Sequence, residues 1–185
     1  MKQVSIAFAA LAALVAGLGA PPVASAQDTG EAAPQPAQSS CEGDVYDDFD
    51  FWLGEWDVTT PDGQVAGTNS ITKAEDGCLL IERWTGAQGT TGQSYNFYDT
   101  GLQKWRQVWV ARGATIDYAG KLTEDGEMRL EGKIAYRNGT TAPFRGSWTP
   151  EPNGSVTQRF QQFNSQTDGW DDWFTGVYRP KPRAE

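Results

Sequence analysis

The chain has 185 residues, 24 acidic against 15 basic side chains, a net charge of −9 and no histidine. An acidic chain without Lys/Arg clusters repels phosphate backbones, which excludes a nucleic-acid partner, and the charge reads as solubility. Without histidine there is no Ser-His or Cys-His nucleophile pair, no histidine-ligated haem and no ordinary zinc site, so no cofactor is expected.

Met1-Lys2-Gln3 sets one positive charge ahead of an apolar run from Val4 to Ala20, followed by Pro21-Pro22 and Ala24-Ser25-Ala26. Charge, apolar core and small-residue exit in that order predict a signal peptide over 1–26. The run is shorter than the ~20 residues of a membrane span, so no transmembrane segment is expected after its removal. The mature chain is expected in the periplasm or outside the cell. Residues 27–40 carry Pro, Ala, Gln and Ser without an apolar face and read as a disordered linker. Residues 41–185 suit a single domain. In an oxidising compartment Cys41 and Cys78 are expected to form one structural disulfide. Cys41 lies too far beyond the apolar run to be a lipidated cysteine.

Val45, Phe49, Trp52 and Leu53 recur at helical spacing and Gly54 follows, which predicts a short N-terminal helix stopped by glycine. Asp44, Asp47, Asp48 and Asp50 lack the loop pattern of a calcium site and are read as its solvated start. Turn signals then punctuate the chain: Pro61-Asp62-Gly63, Glu75-Asp76-Gly77, Asp99-Thr100-Gly101, Glu124-Asp125-Gly126, Asn138-Gly139, Pro152-Asn153-Gly154 and Asp168-Gly169. Between them lie about ten alternating segments, near 56–60, 64–74, 78–86, 92–99, 103–112, 114–121, 127–137, 140–149, 155–164 and 170–179. A meander of ten strands leaves two bare edges unless it closes. An all-β, up-and-down antiparallel barrel is therefore expected, with a two-sheet sandwich as the alternative.

Asp48-Phe49-Asp50-Phe51-Trp52-Leu53-Gly54-Glu55-Trp56-Asp57-Val58 resembles the opening of an uncharacterised bacterial family with a lipocalin-like (calycin) barrel. The similarity continues through Asp76-Gly77-Cys78, Glu82-Arg83-Trp84-Thr85-Gly86, Ser94 to Asp99 and Trp105 to Val110, and ends near Phe174-Thr175-Gly176-Val177-Tyr178. The family brings a fold but no activity to carry over. More distantly, Gly54-x-Trp56 is similar to the first-strand motif of lipocalins. That likeness implies a structural Trp56 closing the barrel floor, with Arg179 stacked on it.

Strand alternation puts residues two apart on one face. Glu82 and Trp84, Asn96 and Tyr98, and Gln107 and Trp109 then share faces on three consecutive strands. Turned inward, they form a pocket wall of flat apolar area with a few orienting polar groups. The opposite arrangement points Ile81, Tyr95, Phe97 and Val108 inward and leaves a row of Trp84, Trp105 and Trp109 outside. The first is preferred, and it predicts a barrel that binds a small aromatic or lipidic molecule, with catalysis not expected. The alternatives are a small enzyme with Glu82 as general acid/base and an envelope interaction protein using exposed tryptophans. Arg145 and Arg159 are expected at the surface.

Overall fold

Five of the nine hairpins share one kind of Gly-containing turn. The computed structural model describes Cys41 and residues 43–182; the predicted signal peptide and linker lie outside the described residues. The strands are β1 (Gly54–Thr59), β2 (Val65–Ala74), β3 (Leu79–Gly86), β4 (Thr91–Asp99), β5 (Lys104–Ala111), β6 (Ala114–Leu122), β7 (Met128–Tyr136), β8 (Thr141–Pro150), β9 (Val156–Asn164) and β10 (Gly169–Pro180). At Thr60–Gln64, Gly86–Thr90, Thr123–Glu127, Tyr136–Thr140 and Glu151–Ser155, the first N–H donates to the carbonyl four residues on. The fourth residue, always glycine, donates back to the first carbonyl. Those glycines have φ between +77° and +87°, the left-handed turn-plus-bulge geometry that explains the spacing of the Gly signals.

Each strand pairs antiparallel with its neighbours in sequence, and β1 also pairs with β10, so the barrel is closed. The seam runs Trp56↔Pro180, Asp57↔Arg179, Val58↔Tyr178 and Thr59↔Val177. No open edge separates the Trp56 and Tyr178 segments.

The N-terminal segment departs from the expected helix. It forms two single 3-10 turns, Asp44–Tyr46 and Asp50–Trp52. The three-residue repeat of a 3-10 turn eclipses side chains i and i+3, which stacks Phe49 on Trp52 at 5.1 Å. Both rings are fully buried and meet Trp105 and Trp148 edge-on or tilted at 5.2–5.6 Å. They plug one end of the barrel. A ring of this size buries about 200 Å², roughly 5 kcal/mol of transfer free energy at most.

Four further ties hold the plug. Trp56 Nε1 donates to the Trp52 carbonyl (3.0 Å) and Trp105 Nε1 to that of Val45 (2.9 Å). Lys73 reaches both Asp47 and Asp50 at 2.8 and 2.7 Å. Cys41 is disulfide-bonded to Cys78, a cross-link worth about 4 kcal/mol in the chain-entropy account.

The stack of Arg179 on Trp56 is not formed. Pairing opposite Asp57 puts Arg179 outside, where it is exposed and donates to Thr59 Oγ1 (2.8 Å), while Trp56 points inward. Alternation along β10 sends Tyr178 to the inside instead, its ring 6.1 Å from Trp56. A cation–π contact does occur on the outer face, where Arg145 lies 4.2 Å over the Trp170 ring.

Candidate functional site

Above the plug the interior is layered, and the polar–aromatic face of β3, β4 and β5 is the inward one. Trp105 is buried against the plug, and Trp84 and Trp109 pack inward against the core. The outward tryptophan row therefore does not exist. Tyr95, on the opposite face, is exposed.

The middle layer is a belt of hydrogen bonds. Asn96, Gln107 and Tyr118 are directly opposed across β4, β5 and β6, so their side chains meet. Tyr118 OH donates to Gln107 Oε1, and Gln107 Nε2 donates to Asn96 Oδ1. Asn96 Nδ2 passes to Ser94 Oγ (2.9 Å), and Ser94 Oγ donates to Glu82 Oε2 (2.5 Å). From the other side Asn69 Nδ2 donates to Glu82 Oε1 (2.7 Å) and lies 3.3 Å from Tyr178 OH, which donates to Gln158 Oε1 (2.8 Å). Every donor from Tyr118 to Ser94 points the same way, and the series ends on the Glu82 carboxylate. Linked bonds of this kind polarise one another.

Glu82 is 4% exposed. Burial pushes its carboxyl up to about 7, against the pull of the Ser94 and Asn69 hydrogen bonds. Its titratable neighbours are Tyr118 and Tyr178, whose phenols are raised well above their ordinary value by burial and then by the Glu82 charge. Among the described residues no arginine reaches it: Arg145 binds Gln161 and Arg159 binds Asp172, both on the outer face.

On the side of the belt away from the plug the interior is hollow. A cavity of about 210 Å³ is lined by Glu82, Gln158 and Tyr178 at its base and by Trp84, Trp109, Ile116, Phe160, Trp173 and Phe174. Glycines make the room. A Cβ on Gly92 would meet Trp109 Cζ2 at 2.1 Å, one on Gly67 would meet Trp84 Cζ2 at 2.8 Å, and Gly146 and Gly176 carry Phe160 and Phe174 at 2.8 and 2.9 Å. Four rings thus lie against bare backbone instead of crossing the lumen.

At the mouth, β10 carries a β-bulge between Asp172 and Phe174. A bulge re-aims a side chain, and here it lets the consecutive residues Trp173 and Phe174 both line the cavity. Trp173 is 48% exposed and packs on Phe144 and Phe160 at 5.5 and 6.3 Å.

No family model matches the chain, and no curated protein matches it. Of the six expected pocket residues, Glu82, Trp84 and Trp109 line the cavity. Asn96 and Gln107 are buried in the belt below it. Tyr98 sits at the plug end, edge-on to Tyr46 with ring centroids 5.7 Å apart, and is separated from the cavity by the belt. Sequence reasoning missed Phe160, Trp173, Phe174 and Tyr178 in the wall and Asn69 and Tyr118 in the belt. One signal was present: Trp173-Phe174 interrupts the alternation of β10, as a bulge does.

A larger hollow, about 560 Å³, follows Tyr95, Val108 and Val110 on the outer face of β4 and β5. It is open to solvent, with Tyr95 and Val110 more than half exposed. Its place inside the barrel and the buried Glu82 carboxyl at its base distinguish the interior cavity. Among the described residues no group of His, Cys, Asp or Glu is arranged to hold a metal ion, and no helix is long and apolar enough to cross a membrane.

Proposed function

We propose that the barrel is a container for one compact small molecule, bound in the cavity above Glu82. The observation that carries this is the 210 Å³ void itself, kept open by glycines under four of its rings. An apolar cavity of ~150 Å³ accepts benzene, and drug-sized sites start at about 300 Å³. One ring, or two fused rings, therefore fits better than a long acyl chain.

The test is ligand-observed NMR with indole and ethylbenzene, paired with tryptophan fluorescence. Saturable one-to-one binding that vanishes when Gly92→Leu fills the cavity supports the container. Absence of saturable binding, or binding untouched by that substitution, refutes it.

A second reading is favoured by the Glu82 carboxyl near 7, where a general base works at neutral pH. With no Ser-His or Cys-His pair in the chain, such an enzyme would shuttle a proton on a bound substrate. The opening Phe51-Trp52-Leu53-Gly54-Glu55-Trp56, together with a closed barrel, supports placing the chain with lipocalin-like (calycin) proteins. The signal-like first 26 residues and the Cys41–Cys78 disulfide support export to the periplasm or beyond.

A further inference from the structure

Glu82 is a buried carboxylate with no cation opposite it among the described residues. Basic side chains make their contacts on the outside of the barrel, Arg106 with Asp117, Arg159 with Asp172 and Lys73 with Asp47 and Asp50. A carboxylate has about four acceptor positions, and two are filled, by Asn69 and Ser94. Tyr178 OH, which shares the cavity base with it, already donates to Gln158. The cavity base thus offers negative charge and spare acceptors. The rings above it present π-faces and edges, to which a cation within ~6 Å is attracted. A carboxylic or phosphate ligand would meet the wrong sign of charge and no basic partner.

We propose that the ligand is a compact organic cation, an aryl or aralkyl amine whose ammonium donates to Glu82 while its ring lies among Trp84, Trp109, Phe160 and Phe174. This rests on the container reading and adds the charge of the occupant. The groups around Glu82 are Asn69 from β2, Ser94 from β4, Tyr118 from β6, Gln158 from β9 and Tyr178 from β10, with Asn96 and Gln107 behind Ser94 in the belt. Only the two tyrosines titrate, and both stay neutral through the physiological range. Cation affinity therefore follows the ionisation of Glu82 alone.

The experiment is calorimetric titration of wild-type protein and Glu82→Gln with benzylamine and its neutral isostere ethylbenzene, at pH 6 and pH 8. An alkylammonium stays protonated across that range. At pH 8 wild type is expected to prefer the amine by about tenfold or more, the worth of a charge-assisted bond in a dry site. At pH 6 the amine should lose about tenfold, since Glu82 is then mostly protonated, while ethylbenzene is unchanged. In Glu82→Gln the preference should vanish and ethylbenzene binding remain within about threefold.

Equal binding of amine and hydrocarbon by wild type, or an amine preference kept in Glu82→Gln, overturns the cation inference and leaves the container standing. Failure of both ligands to bind wild type overturns both. If Glu82→Gln does not fold, the wild-type pair at pH 6 and 8 decides: a pH-independent amine affinity overturns the inference.

Discussion

Replacing Glu82 by glutamine should stabilise the protein at alkaline pH and do little at acid pH. In the unfolded chain the carboxyl titrates near 4.5, whereas burial lifts it to about 7 in the barrel. The folded state therefore holds a proton that the unfolded state releases between these values, and stability falls as pH rises through that window. One pKa unit is 1.36 kcal/mol, so a rise of this size costs about 3 kcal/mol once both states are ionised. That is a sizeable part of a typical folding free energy. Below about pH 4.5 the group is neutral in both states and the cost is absent. Glutamine is neutral throughout and keeps an acceptor for Asn69 or Ser94.

Urea unfolding of both proteins from pH 4 to pH 8.5 reads the difference directly. Surface carboxylates held low by cations, such as Asp117 beside Arg106, titrate alike in both proteins and cancel. The difference should grow by roughly 3 kcal/mol in favour of Glu82→Gln between pH 4 and pH 8. A constant offset from an altered hydrogen bond does not matter. A difference that is flat with pH, or that grows the other way, refutes the claim that Glu82 is a carboxylate made costly by burial.

Gly92→Ala should cost about 1–3 kcal/mol by overpacking, because its methyl meets the Trp109 indole at 2.1 Å and drives the ring toward the lumen. Urea midpoints and loss of indole binding report the two effects. Reducing the Cys41–Cys78 bond should lower stability by about 2–4 kcal/mol. The loss should fall first on the plug, so hydrogen exchange ought to rise around Phe49 and Trp52 before the barrel strands respond.

The hairpins were readable because a left-handed residue at a fixed place in the turn calls for glycine, and the chain supplies it at Gly63, Gly126, Gly139 and Gly154. The closed order followed from ten alternating segments. The inward face of β3 to β5 was a preference that the sequence left open. Glu82, Asn96 and Gln107 alternate with Ile81, Tyr95, Phe97 and Val108, which are apolar enough to fill a core themselves. The structure turns the polar side in. Height along the barrel was not readable. Alternation says which side of the sheet a residue faces, whereas strand tilt and stagger decide which residues stand level. That is why Tyr98 is at the plug and Trp109 at the cavity. The same stagger brings Asn69 to Tyr178 across 109 residues, a meeting no local pattern signals. The N-terminal spacing of Phe49 and Trp52 suits a 3-10 turn as well as an α-helix, and the stacked rings under Trp105 and Trp148 decided for the tighter one.

The polar belt has a consequence for traffic. It spans the barrel from β9 through β10 and β2 to β6, and below it the plug is packed solid with indole and phenyl rings, so the interior is a cul-de-sac. On the container reading, a guest cannot be handed from one end to the other. Its entry and departure would share the doorway beside Trp173, and its residence time would be set at that threshold by how readily one half-exposed indole steps aside.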